Sequence, residues 1–222
     1  MSRQLYTFWR SSAAYRARIA LNWKGLDYQA VPKHLLRDGG EQHKAEYVAV
    51  NPQGLVPALV DDGFVVPQSL AICEYLEELH PTPPLLPGTP RERATVRGMA
   101  LVVACDIHPL NNVSVTLYLR EHFGADAAVV KQWTEHWIHR GFAALERWVV
   151  ATRPDGAKEP PQFCYGSQVT LADVCLVPQM YNARRFNVDV TPFPGLVAIA
   201  RHLESLPAFA AARPEVQPDA EQ

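Results

Sequence analysis

Apolar and polar positions are spaced differently in the two parts of the chain. Up to His80, short apolar runs alternate with turn signals. Leu5-Tyr6-Thr7-Phe8-Trp9 is rich in aromatic and β-favouring residues and predicts a strand. Ala17 to Lys24 predicts a helix offering Ile19, Ala20 and Leu21 for burial, with Gly25 as its stop. Tyr28 to Pro32 predicts a second strand, Arg37 to Gly40 a loop, Glu41 to Tyr47 a short helix or turn, and Asn51-Pro52-Gln53-Gly54 another turn. Val56 to Val60 and Phe64 to Val66 flank Asp61-Asp62-Gly63, a hairpin signal. Ser69 can cap a helix over Leu70 to Leu79 whose apolar residues fall mostly on one side. The order β-α-β, hairpin, α describes a small α/β domain.

The pattern changes after His80. Pro81 to Pro90 carries too many prolines to continue a helix and predicts a stiff crossover. Beyond it, Arg91 to Phe123, Ala127 to Thr152, Leu171 to Phe186, Phe193 to Leu206 and Ala208 to Ala212 read as helices, with Pro109 kinking or breaking the first. Trp133, Trp137, Phe142, Leu145 and Trp148 are bulky candidates for core or interface. Arg153 to Pro161 reads as a loop, and the polar tail from Pro214 is expected to fray. The expected organisation is an α/β domain over 1–82, a proline-rich linker over 83–90 and an all-helical domain over 91–222.

Composition narrows the class. The net charge of −2 and the scattered basic residues argue against nucleic acid as a partner. Hydrophobic residues make up 48% of the chain, enough for a core, and no signal peptide or apolar run of about 18 residues suggests export or a membrane span. Cys73, Cys105, Cys164 and Cys175 lie far apart with no C-x-x-C, and three of them sit in apolar stretches. That pattern fits reduced thiols in a cytoplasmic protein.

Several stretches could carry chemistry. Arg10-Ser11-Ser12 opens a helix, where unpaired N–H groups and the helix dipole favour an anion; either serine can equally be a plain cap. A cis Val56–Pro57 bond would turn the Val56 backbone outward to pair with an extended peptide. Gln68-Ser69 places an amide and a hydroxyl at a helix start that can receive a carboxylate. His108 and Asn112, four apart beside Pro109, can share a helical face on a cleft wall. Thr170 to Asp173 reads as a structural capping box. Arg184 and Arg185 close a helix, where they favour its dipole and could also meet substrate carboxylates. His136 and His139 lie one turn apart without a third ligand, so no metal site is expected.

Together these features resemble a cytosolic glutathione transferase. Arg10-Ser11-Ser12-Ala13-Ala14-Tyr15-Arg16-Ala17-Arg18-Ile19-Ala20-Leu21 is similar to the signature of the zeta class, which contains the maleylacetoacetate isomerases. Asp38 to Gln42, Asn51 to Pro57, Gln68 to Ile72, Asn182 to Phe186 and the closing Gln217-Pro218-Asp219 match as well. The resemblance implies a thioredoxin-like α/β N-terminal domain, an all-α C-terminal domain, a homodimer and glutathione as cofactor. It implies that Ser11, Ser12, Ala13, Ala14, Tyr15 and Arg16 surround the thiol, that Gln42 and Val56 hold the middle of the tripeptide, and that Gln68 and Ser69 hold its γ-glutamyl carboxylate. His108, Asn112, Val113 and Ser114 would contribute from the helical domain. Arg10 and Arg185 are the candidates for a substrate with two carboxylates.

The activity so implied is glutathione-dependent cis–trans isomerisation of a maleyl diketo acid. Maleylpyruvate isomerisation, a general glutathione transferase or haloacid-processing activity, and a non-catalytic module are the alternatives. Two departures bear on this. Ala13 stands where the zeta signature has cysteine, and His108 stands in an Ile-His-Pro-Leu-Asn-Asn stretch resembling the maleylpyruvate isomerases. Val113-Ser114 then follows the maleylacetoacetate isomerase pattern.

Overall fold

A computed structural model describes residues 2–154, 156 and 159–221. The chain divides into two compact units, Met1–Pro83 with Leu206–Gln222, and Pro84–Ser205.

The first unit is a four-stranded mixed sheet with helices. Strands β1 (Arg3–Thr7), β2 (Gln29–Pro32), β3 (Ala58–Asp61) and β4 (Phe64–Pro67) lie in the order β2-β1-β3-β4. The β1–β2 pair is parallel and is joined through α1 (Ser12–Trp23); the other two pairs are antiparallel. A short helix α2 (Ala45–Val48) and the helix α3 (Ser69–Leu79) complete the thioredoxin-like order, and α1 packs on α3. Leu5, Leu59, Ile19, Leu21, Ile72 and Leu76 are fully buried between sheet and helices.

Several boundaries differ from the sequence reading, and α1 already starts at Ser12 rather than Ala17. The first strand ends at Thr7, because Ser11 N–H closes a turn onto Phe8 C=O at 3.0 Å. The third strand starts after Pro57, which has no N–H to give to a ladder. Both Val56–Pro57 and Thr82–Pro83 are cis.

The tail does not fray. A short helix α9 follows α8 (Pro207–Ala210 after Pro194–Glu204), and a 3₁₀ turn covers Pro214–Val216. Gln217 Nε2 donates to Ala211 C=O at 3.0 Å and Arg213 C=O at 2.8 Å, which stiffens a segment whose polarity suggested freedom.

The second unit is helical. It contains α4 (Pro90–Leu101), α5 (Val113–Phe123), α6 (Ala127–Ala151), α7 (Leu171–Arg185) and α8. Thr89 and Glu92 form a capping box at the start of α4. After Leu101 the helix widens into a π-helical segment, Val102–Ile107, and then tightens into a 3₁₀ turn, Pro109–Asn111. Pro109 thus breaks the helix as its chemistry requires. By length and composition alone, Pro90–Phe123 is the one helical stretch among the described residues long and apolar enough to cross a bilayer. It is interrupted at this break.

Phe142 and Leu145 are buried in the core of this unit, whereas Trp133, Trp137 and Trp148 are only partly covered. Gly141 allows the π-helical segment to approach α6: a Cβ there would lie 2.3 Å from Ile107 Cδ1.

Candidate functional site

Sheet register collects the candidates of the first unit. Tyr6 pairs with Ala58, and Ala58 pairs with Pro67. Therefore β1 ends, β3 begins and β4 ends at one edge of the sheet. Residues 8–12, 56–57 and 68–69 all emerge there. Thr7 also pairs with Pro32, and Lys33 N–H donates to Thr7 C=O at 2.7 Å, so the loop leading to Gln42 leaves from the same edge.

Ser11 is the N-cap of α1, and its Oγ accepts Ala14 N–H at 3.2 Å. Ser11 is partly exposed, while Ser12, the first helical residue, is only 5% exposed. With its oxygen engaged by the helix, the Ser11 hydroxyl has its proton to offer outward. Ala14 and Tyr15 are buried and Ala13 is partly covered. These three shape the first turn rather than present polar groups. Arg10 places its guanidinium 4.5 Å from the centre of the Trp9 ring.

Arg16 lies in the second turn of α1 and is 1% exposed. Its Nη1 donates to Ser69 Oγ at 3.4 Å. Its Nε and Nη2 are buried and have no hydrogen-bond partner among the described residues. A buried guanidinium without an acid is costly unless an anion completes it. Ser69 opens α3, where N–H groups already favour negative charge.

Just before it, Gln68 is held at φ 69°, a left-handed conformation that costs a non-glycine residue about 1–3 kcal/mol. Its Nε2 donates to Gln53 Oε1 at 2.7 Å. Gln42 Nε2 donates to Leu35 C=O at 3.2 Å, and its buried Oε1 has no partner. Val56 is buried against Phe8, Trp9, Tyr47 and Ala58.

In the second unit, the helix break changes one expectation. His108 and Asn112 do not share a helical face, because the 3₁₀ turn intervenes. His108 is the last residue before that turn, and Asn112 instead caps α5. Asn112 Oδ1 accepts both the N–H and the hydroxyl of Ser114 at 3.0 Å, and Val113 is exposed beside them. Asn111 is buried with both side-chain polar atoms unpartnered, a feature no spacing rule singles out. At the end of α7, Arg184 is paired with Glu204 at 2.6 Å. Arg185 is exposed and lies 4.3 Å from the Phe186 ring centre.

Two residues of the first unit were missed by sequence reasoning. Arg18, fully buried, donates to Thr7 Oγ1, Phe8 C=O, Trp9 C=O and Ala212 C=O. Asp219 accepts Trp9 N–H at 3.0 Å. Arg18 lies within the helical signature and Asp219 within the closing match, but only the fold reveals what they hold.

The described residues contain no cluster of three or more metal-ligating side chains. Chemistry at this edge rests on hydroxyl, guanidinium, amide and helix-start groups.

Comparison with known proteins places these groups in a family. The glutathione S-transferase N-terminal domain matches residues 5–84. A probable maleylacetoacetate isomerase of Vibrio cholerae is 48% identical over 220 residues, covering 99% of each chain. The holo structure of a maleylpyruvate isomerase, a bacterial zeta-class glutathione S-transferase, superposes with a TM-score of 0.92 at 45% identity, covering 98% of this chain and 100% of that one. A maleylacetoacetate isomerase from Methylobacterium extorquens AM1, solved with malonate and glutathione bound, gives a TM-score of 0.89 at 40% identity, covering 99% of this chain and 100% of that one. With the thioredoxin-like order, the serine-capped first helix and full-length similarity in agreement, the chain belongs to the zeta class of the glutathione S-transferase family.

Proposed function

We propose that this enzyme uses glutathione to isomerise a maleyl diketo acid, maleylacetoacetate to fumarylacetoacetate. One observation carries the reading: Arg16 is a buried guanidinium with two unpartnered nitrogens beside Ser69 at the start of α3. It occurs at the same sheet edge as the serine-capped start of α1. An anionic tripeptide fits this set, with its γ-glutamyl carboxylate at Ser69 and Arg16. Gln68 frames that end, and the unpartnered Gln42 oxygen and the Val56 backbone face its middle.

Glutathione supplies a thiolate that adds to the cis alkene, allows rotation about the resulting single bond and leaves. The protein keeps that sulfur ionised. Ser11 donates a hydrogen bond from its hydroxyl to the ionised sulfur, and the first turn of α1 adds positive potential. Charge that develops on the substrate carbonyl meets the same donors. Arg10 holds a substrate carboxylate. The malonate and glutathione bound by the Methylobacterium relative support a site for both kinds of ligand. The reading includes a homodimer in the cytoplasm, in keeping with four free cysteines.

The test is an isomerase assay with maleylacetoacetate, with and without glutathione, and with maleylpyruvate in parallel. Glutathione-dependent formation of fumarylacetoacetate, faster than turnover of maleylpyruvate, is the expected result. An enzyme that binds glutathione but converts neither substrate overturns the proposal.

A further inference from the structure

The closing segment of the chain touches the turn that carries Arg10 and Ser11. That turn is Phe8-Trp9-Arg10-Ser11, closed by Ser11 N–H to Phe8 C=O at 3.0 Å. In such a turn the second residue's N–H points away from the closing bond and needs an outside acceptor. Here the acceptor is Asp219 Oδ2, at 3.0 Å from Trp9 N and 210 residues away in sequence. The turn's carbonyls are held from the other side. Arg18 donates to Trp9 C=O at 2.9 Å and, through its Nε, to Ala212 C=O at 3.0 Å.

The tail therefore grips the turn twice, once through Arg18 and once directly. It is anchored on its far side as well: Glu221 meets His34 Nε2 at 3.1 Å and Arg37 at 3.0 Å. Ala220 packs against the cluster of Phe8, Trp9, Tyr47, Val56 and Ala58.

We propose that Asp219 is a positioning residue for the reaction: by holding Trp9 N–H it fixes the turn that places the Ser11 hydroxyl and the Arg10 guanidinium. The inference rests on the reading that Ser11 and Arg10 work on thiol and substrate. Asp219 itself touches neither. A small displacement of a catalytic group from its productive place is enough to slow chemistry by about 10- to 100-fold. The γ-glutamyl end of the tripeptide, at Ser69 and Arg16, does not meet this turn.

The experiment compares Asp219→Ala, Asp219→Asn and Asp219→Glu. Three quantities are read: kcat and KM with maleylacetoacetate, glutathione Kd by calorimetry, and the pKa of bound glutathione from thiolate absorbance. Asp219→Ala is expected to lower kcat about 10-fold or more and to raise the bound thiol's pKa, with glutathione Kd, measured at a pH where the bound thiol is protonated, within about twofold. Asp219→Asn keeps an oxygen acceptor for Trp9 N–H and is expected to restore most of kcat.

Should Asp219→Ala fail to fold, Asp219→Glu supplies the same readings, because it keeps charge but moves the carboxylate by one methylene. Wild-type kcat and thiol pKa in the folded variants overturn the inference. So does a parallel loss of glutathione affinity and activity that asparagine does not restore, since that marks a purely structural role. If the wild-type enzyme ionises glutathione but isomerises neither maleyl substrate, the functional reading fails, and the thiol titration still decides the role of Asp219.

Discussion

Ser11 has two tasks for one hydroxyl under the proposed mechanism. Its oxygen caps α1 through Ala14 N–H, and the mechanism has its O–H donate a hydrogen bond to the cofactor's thiolate. The tasks separate by choice of substitution. Replacing an N-cap serine by alanine costs about 1 kcal/mol of helix stability, whereas glycine costs only a few tenths. Ser11→Gly therefore leaves the fold nearly unchanged while removing the donor. Loss of a hydrogen bond to a charged group is worth about 1.5–3 kcal/mol, or roughly 10- to 150-fold in rate. The expected outcome is a drop of that size in kcat/KM with a raised pKa for bound glutathione. Ser12→Ala, at a buried position, is expected to have the smaller effect on both. Equal activity of Ser11→Gly and wild type would remove the hydroxyl from the mechanism.

The same residues show what a sequence can disclose. Ser11 is visible because a cap must sit where an apolar run begins, a local rule; Ser69, expected as a cap, is instead the first residue of α3, with Gln68 at the N-cap and no side-chain cap bond. Arg16 and Asp219 are not visible in this way, because their meaning lies in partners 53 and 210 residues away. Only pairing of the strands and return of the tail bring those partners together.

At the scale of elements, the break between α4 and α5 was legible from Pro109, yet its form was not. A proline announces that an α-helix cannot continue, but whether the chain widens into a π-segment depends on what it packs against, here Gly141 on α6. The capping box of α7 is the opposite case, since Thr170 and Asp173 are fixed by spacing alone. Asp173 Oδ2 accepts Thr170 N–H at 2.7 Å and Thr170 Oγ1–H at 2.8 Å. Oδ1 also accepts Cys164 N–H at 2.7 Å, tying the preceding loop to the helix start.

Removal of this carboxylate leaves buried donors unpaired. Asp173→Ala is therefore expected to cost at least about 3 kcal/mol in urea unfolding. The pH dependence has a definite sign. Burial raises the Asp173 carboxyl from 3.8 to about 6, against the pull of its N–H and O–H donors. The folded state thus holds this proton more tightly than the unfolded chain. The group's contribution is full below 3.8 and is lost as pH rises through about 6. Asp173→Asn, which does not titrate, is expected to lack this decline. Parallel pH profiles for the two proteins would refute the assignment.

For the whole molecule, the distribution of thiols separates the chemistry of the cofactor from that of the protein. Cys73, Cys164 and Cys175 are buried, and Cys105 is exposed on the π-helical segment. Burial raises the Cys164 thiol well above its ordinary value, which suppresses the reactive thiolate further. The first turn of α1 contains Ala13 where zeta-class signatures carry cysteine, and no cysteine precedes Cys73. An isomerase that takes its nucleophile from glutathione needs none there. Iodoacetamide applied to the folded enzyme without glutathione is therefore expected to add one group, at Cys105, and four groups after unfolding in denaturant. After desalting and addition of glutathione, isomerase activity is expected to remain. Cys105→Ser is expected to take up no reagent while folded and to keep its activity through the treatment. Intact mass and residual activity measure both outcomes. Rapid inactivation of folded Cys105→Ser by iodoacetamide would show that a buried protein thiol takes part in the reaction, and that glutathione's sulfur is not its sole nucleophile.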